Sequence, residues 1–66
     1  MLSTRNQFAG TVKAVKLGNV MAEIVVQVGN LEFVSAITRG SVDAMGLKPG
    51  DAVRVVVKST EVMIDK

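Results

Sequence analysis

Val20-Met21-Ala22-Glu23-Ile24-Val25-Val26-Gln27-Val28 is the stretch that decides the fold. Val20, Ala22, Ile24, Val26 and Val28 fall on one face of a two-residue repeat, and Met21, Glu23, Val25 and Gln27 fall on the other. Successive side chains of an extended chain point to opposite sides, so this pattern predicts a strand with one apolar face. Gly18-Asn19 stands before it and Gly29-Asn30 after it. Each pair suits a two-residue hairpin turn. Working outward, Val12 to Leu17 reads as the preceding strand and Leu31 to Ile37 as the following one, which gives a three-stranded meander. Gly10, within the first strand, predicts a bulge or bend.

The two-residue period breaks after Ile37. Thr38 or Ser41 can cap a short helix that holds Val42, Asp43, Ala44 and Met45. Gly46 fits the left-handed position that ends such a helix, and Leu47 packs back. Lys48-Pro49-Gly50-Asp51 is a turn with Pro second and Gly third. Ala52 to Val57 is rich in β-branched residues and reads as a fourth strand, and Glu61 to Ile64 as a short fifth. The expected fold is all-β: a five-stranded, OB-like Greek-key barrel with one short helix between strands 3 and 4, plugging one end.

Size limits what such a fold can do alone. Sixty-six residues make one domain at most, expected to span 1–66. A chain this short buries only about 60% of its unfolded surface. There is no cysteine for a disulfide and no Cys/His pair for structural zinc, yet 48% of the residues are hydrophobic. These facts share one remedy, burial of apolar surface between subunits, so an obligate oligomer is expected. The net charge of +2 is mild and its cations are scattered, which favours anions weakly. No run approaches the roughly 20 apolar residues of a membrane span, and the N-terminus has no apolar signal core. Cytoplasm is the expected compartment.

Three short clusters carry the chemistry. Ser3-Thr4-Arg5-Asn6, Thr38-Arg39-Gly40-Ser41 and Lys58-Ser59-Thr60 each set hydroxyls beside a cation at the edge of an apolar run. Hydroxyls donate one hydrogen bond each, and Arg and Lys donate charge-assisted ones. Brought together, they would make a pocket for a tetrahedral dianion, helped by backbone N–H groups at Thr4, at Ser59 and at the start of the helix. Plain structural uses compete: a helix cap at Thr38 or Ser41, a turn at Ser59-Thr60, a solvated terminal charge at Arg5. The residues alone leave both readings open.

Other chemistries find less support. OB-type barrels also bind single-stranded nucleic acid through stacked aromatics and a basic groove. Here only Phe8 and Phe33 are aromatic, and both are expected in the core, which makes nucleic acid the alternative reading. Without His or Cys, the commonest bases and nucleophiles are missing, so no enzyme, catalytic residue or cofactor is expected. Asp43, Asp51, Glu61 and Asp65 read as solvated, and no loop has the acidic spacing of a cation site. Glu23 is a candidate to meet a cation at a subunit interface. Met21, Met45 and Met63 are expected to pack.

In order and spacing the chain resembles the molbindins, the free-standing Mop domains that bind molybdate and tungstate. The resemblance is carried by Ser3-Thr4-Arg5-Asn6-Gln7, Gly10-Thr11-Val12 and Gly18-Asn19-Val20-Met21-Ala22-Glu23-Ile24-Val25. It continues through Ile37-Thr38-Arg39-Gly40-Ser41-Val42, Gly46-Leu47-Lys48-Pro49-Gly50 and Val57-Lys58-Ser59-Thr60-Glu61-Val62-Met63. It implies a hexamer, a trimer of dimers, with oxyanions held between subunits for intracellular storage or buffering. It further implies Ser3, Thr4 and Arg5 as ligands from one subunit and Thr38, Ser41, Lys58 and Ser59 from its neighbour. A second type of site near the symmetry axis is also implied, with Gly18 to Met21 approaching it. Thr4, where the family usually has Ala, and Gly40, where many relatives carry a longer residue, depart from the pattern. Neither a helix-turn-helix nor a phosphate-binding loop is present, so a free-standing protein is expected over a regulator or transporter module. The shortage of aromatics argues against a pterin ligand.

Overall fold

The structure, a computed structural model, describes residues 5–66. Strand β1 (Asn6–Leu17) is followed by β2 (Met21–Val28), β3 (Leu31–Thr38), helix α1 (Arg39–Met45) and β4 (Ala52–Val57), then a 3-10 turn at Ser59–Glu61. The strands form one antiparallel sheet in the order β3-β2-β1-β4. The apolar repeat of β2 behaves as read: Ala22, Ile24 and Val26 are buried. They meet Val12 from β1 and Val42 from α1 in the core, ringed by half-buried residues that include Ile37, Leu47, Val53 and Val55.

β1 is longer than its apolar pattern announces. Thr11 to Leu17 pairs with β2, while Asn6 to Thr11 pairs with β4. The upstream half is ordered by a partner far along the chain, and local periodicity carries no trace of that. The bulge lies at Lys13, between Val12 and Ala14, and not at Gly10. Gly10 serves close approach instead: a Cβ there would lie 2.6 Å from the Gln27 carbonyl oxygen and 2.8 Å from Val28 Cγ2. Lys13, pushed outward, forms an exposed ion pair with Glu32 of β3.

The first hairpin is shifted by one residue. The Gly18 N–H still donates to the Met21 carbonyl at 2.8 Å, so the turn is Asn19-Val20, and Val20 is exposed rather than part of the apolar face. The second hairpin is as expected: Val28 and Leu31 pair around Gly29-Asn30, with Gly29 at φ 58°. Thr38 caps α1, and Gly46 ends it at φ 61°. The Leu47 N–H then donates to the Val42 carbonyl, which folds Leu47 back onto the core. Gly50, at φ 94°, takes the third place of the Lys48–Asp51 turn.

Four expectations are corrected. Glu61 to Ile64 forms no strand: the Glu61 N–H donates to the Lys58 carbonyl, the chain turns, and Val62, Met63 and Ile64 have no strand beside them. With four strands and β3 unpaired to β4, the sheet curls without closing into a five-stranded barrel. Phe8 and Phe33 lie outside the core, stacked on each other with centroids 5.2 Å apart. Met21, Met45 and Met63 are exposed, because the small core is filled by β-branched residues and Ala22.

Candidate functional site

The Thr38–Ser41 pair is built by the start of α1. Thr38 Oγ1 accepts from the Ser41 N–H at 3.1 Å and lies 2.8 Å from Ser41 Oγ. One hydroxyl proton is used in that mutual bond, so the pair as it stands keeps one O–H to offer a ligand. Both can donate to an anion only if the 2.8 Å bond opens. The Ser41 N–H is already spent on the cap and is not free for an oxyanion.

Arg39, inside the same cluster, serves elsewhere. Its backbone N–H donates to the Val20 carbonyl at 2.8 Å, its guanidinium donates to the Gly18 carbonyl at 3.2 Å, and its Nε lies 3.4 Å from Asp43 Oδ1. Arg39 therefore braces the Gly18–Met21 hairpin against the helix that presents Thr38 and Ser41. Sequence reading missed this role. The four-residue spacing of Arg39 and Asp43 was the available signal, while the contact with the hairpin had none.

The other candidates gather at the far end of β1. Asn6 pairs with Val57, so the chain just before β1 and the chain just after β4 run side by side, which sets Arg5 beside Lys58 and Ser59. Arg5, Lys58 and Ser59 are exposed. Among the described residues neither cation has an ion-pair partner, whereas Lys13, Arg39 and Lys48 each face a carboxylate. Ser3 and Thr4 lie outside the described residues. The register thus gathers the candidate residues into two groups: Arg5 with Lys58 and Ser59, and Thr38 with Ser41. They sit at opposite ends of the long strand β1, because Thr38 pairs with Met21 beyond its C-terminal end. No side chain of the described residues forms a cluster suited to a metal cation.

A curled four-stranded antiparallel sheet with one capped helix, carrying hydroxyls and cations at its two ends, defines a small β-domain. A TOBE domain model matches residues 2–64. The chain is 44% identical to molybdenum-pterin-binding protein 3 of Clostridium pasteurianum over 96% of its own length and 94% of that protein, and 41% identical to protein 1 over the same shares. Among solved structures it superposes on the molybdate binding protein from Sporomusa ovata with a TM-score of 0.95 and 44% identity, covering 100% of this chain and 98% of that one. MopII from Clostridium pasteurianum follows at 0.94 and 42%, covering 100% of both. The cytoplasmic molybdate-binding protein ModG, in a form with molybdate bound, gives 0.83 and 38% over 89% of this chain and 43% of that one. The chain belongs to the TOBE-domain family, in the molbindin branch that its motifs resemble.

Proposed function

We propose that the protein binds molybdate or tungstate as the intact dianion, by hydrogen bonds and with no covalent step, as a store or buffer. The observation that carries the ligand is the whole-length likeness to the Sporomusa ovata molybdate binding protein. The geometry adds the donors. Among the described residues Arg5 and Lys58 have no ion-pair partner, they lie near Ser59, and Thr38 with Ser41 offers hydroxyls. Because the half-sites lie at opposite ends of β1, a complete pocket takes one half from each of two chains. The resemblance divides the donors as Ser3, Thr4 and Arg5 from one copy and Thr38, Ser41, Lys58 and Ser59 from another; the β1–β4 register instead supports Arg5 grouped with Lys58 and Ser59 on one copy, facing Thr38 and Ser41 of another. Binding and assembly are linked, and a homohexamer built as a trimer of dimers is the assembly we favour.

The chain acts as a binding protein and not as an enzyme, in the cytoplasm, as a single domain over 1–66. No helix of the described residues is long and apolar enough to cross a membrane. Sulfate is rejected because a smaller anion leaves fixed donors unsatisfied, and phosphate because its remaining P–OH would face donors only. The mutual stacking of Phe8 and Phe33 occupies a face of each of the two aromatic rings in the chain, which disfavours both a pterin and single-stranded nucleic acid. The test is a calorimetric titration with molybdate and with tungstate, repeated in excess sulfate. Saturable heat that sulfate leaves unmoved is expected. No heat with either anion at several temperatures would overturn the reading.

A further inference from the structure

Among the described residues, Arg39 is the cation of the three hydroxyl clusters whose charge is already compensated. Its Nε lies 3.4 Å from Asp43 Oδ1, whereas Arg5 and Lys58 face no carboxylate. A cation offset in this way adds little net attraction for a dianion. Helix stability does not account for Arg39 either. It is the first residue of α1, where the helix dipole disfavours a cation, and cation before carboxylate is the weaker order for a pair four residues apart.

What Arg39 does hold is the tip of the β1–β2 hairpin. Its backbone N–H donates to the Val20 carbonyl at 2.8 Å and its guanidinium to the Gly18 carbonyl at 3.2 Å. Asp43 takes the Nε side of the same guanidinium and so fixes its plane. The helix needs this hold. Seven residues are about two turns, too few to persist unsupported in water. Val42 is the one buried residue of α1, and it ties the middle of the helix to the core. The Thr38 cap binds the first turn to itself. The Arg39 side chain ties that first turn to the hairpin, whose Met21 pairs with Thr38.

We infer that Arg39 is a positioning residue that sets anion selectivity. By fastening the start of α1 to the Gly18–Met21 hairpin, it keeps the Thr38–Ser41 donors in place, so that the pocket holds the span of a large tetrahedral dianion and does not close on a smaller one. It acts through Thr38 and Ser41 and by geometry rather than charge. Rejecting a smaller ion requires donors that stay apart when it enters, and loosened donors would follow it in. The inference rests on the proposed oxyanion function and deepens it.

Two variants leave the net charge unchanged: Arg39→Lys, and Arg39→Ala combined with Asp43→Ala. Both place good helix formers in α1, so both should fold. Each is titrated with molybdate by calorimetry, alone and in excess sulfate, well below Tm. A single ammonium cannot reproduce the planar fork that serves Gly18 and Asp43 together, so Arg39→Lys should behave as the double variant does. In both, molybdate should bind about tenfold more weakly, the scale seen when groups that orient ligands from behind are removed. Sulfate, inert against the wild type, should now compete. Wild-type selectivity in either variant, or weaker molybdate binding with sulfate still inert, would overturn the inference and leave the oxyanion function standing. A wild type that binds neither anion would overturn the function and the inference with it. Amide hydrogen exchange without any anion is the second measurement. The Ser41 N–H should exchange faster in both variants while the Ile24 N–H in the core does not. Unchanged Ser41 exchange would also overturn the inference.

Discussion

Replacing Gly10 with Ala should destabilise the protein well beyond the size of the change. The added methyl would lie 2.6 Å from the Gln27 carbonyl oxygen, 2.8 Å from Val28 Cγ2 and 2.9 Å from Val26 Cγ1. The two valine contacts can ease by side-chain rotation, but the carbonyl belongs to β2 at the Thr11–Gln27 pair and moves only with the strand. Overpacking of this kind costs about 1–3 kcal/mol, and a backbone clash belongs in the upper half of that range. A chain of 66 residues has roughly 3–10 kcal/mol of stability in all. At about 4–8 °C per kcal/mol for a domain this small, Tm should fall by roughly 10–20 °C. The assay is thermal unfolding by circular dichroism at one fixed protein concentration without oxyanion, since association and ligand both shift Tm. Gly40→Ala is the matched control. Its Cβ meets nothing within 4 Å, and it lies in a helix, where Ala is better than Gly by about 0.5–1 kcal/mol. Gly40→Ala should therefore raise Tm by a few degrees. If Gly10→Ala melts with the wild type, the account of β1 lying hard against β2 is wrong.

Thr38→Ala should cost about 1 kcal/mol through loss of the cap, and Thr38→Ser should recover most of it in urea unfolding. Equal midpoints for all three proteins would remove Thr38 as a cap. Ile24→Ala empties the centre of the core and should cost about 2–5 kcal/mol, read from the same transition. For binding, Arg5→Ala should weaken molybdate affinity at least tenfold while Lys66→Ala leaves it unchanged; equal affinities in calorimetry would take Arg5 out of the site. Ser59→Ala should lose roughly 1–3 kcal/mol of binding if its hydroxyl donates to the anion, and an unchanged Kd would leave it a turn residue.

What the sequence made legible follows the range of the interactions. The β2 repeat, the Gly29 turn, the Thr38 cap, the Gly46 stop and the Lys48–Asp51 turn are each settled within a few residues, and each stands in the structure. The upstream half of β1 did not show itself, because its partner is β4 and Asn6 to Thr11 has no apolar alternation. Val62–Ile64 misled for the opposite reason: it has the composition of a strand, but a strand needs an edge to pair with, and composition says nothing of where the edge is. Phe8 and Phe33 were expected inside on hydrophobicity alone, yet they lie outside the core and cover each other instead. Of the candidate site, the hydroxyl–cation clusters were visible residue by residue. Their division into two half-sites depended on register, which pairs Asn6 with Val57 and Met21 with Thr38.

The double pairing of β1 also orders the events of folding. Leu17 meets Ala22, and Val28 meets Leu31, across tight turns, so these two hairpins close quickly and at small entropic cost. Asn6 meets Val57 only after nearly the whole chain is in place, and that closure is the slow kind. On a ribosome the meander can fold while β4 is still unmade, leaving the upstream half of β1 waiting with one edge bare. Substitutions in Ala52–Val57 should then act mainly on the unfolding rate, and substitutions in the β2–β3 hairpin on the rate of folding.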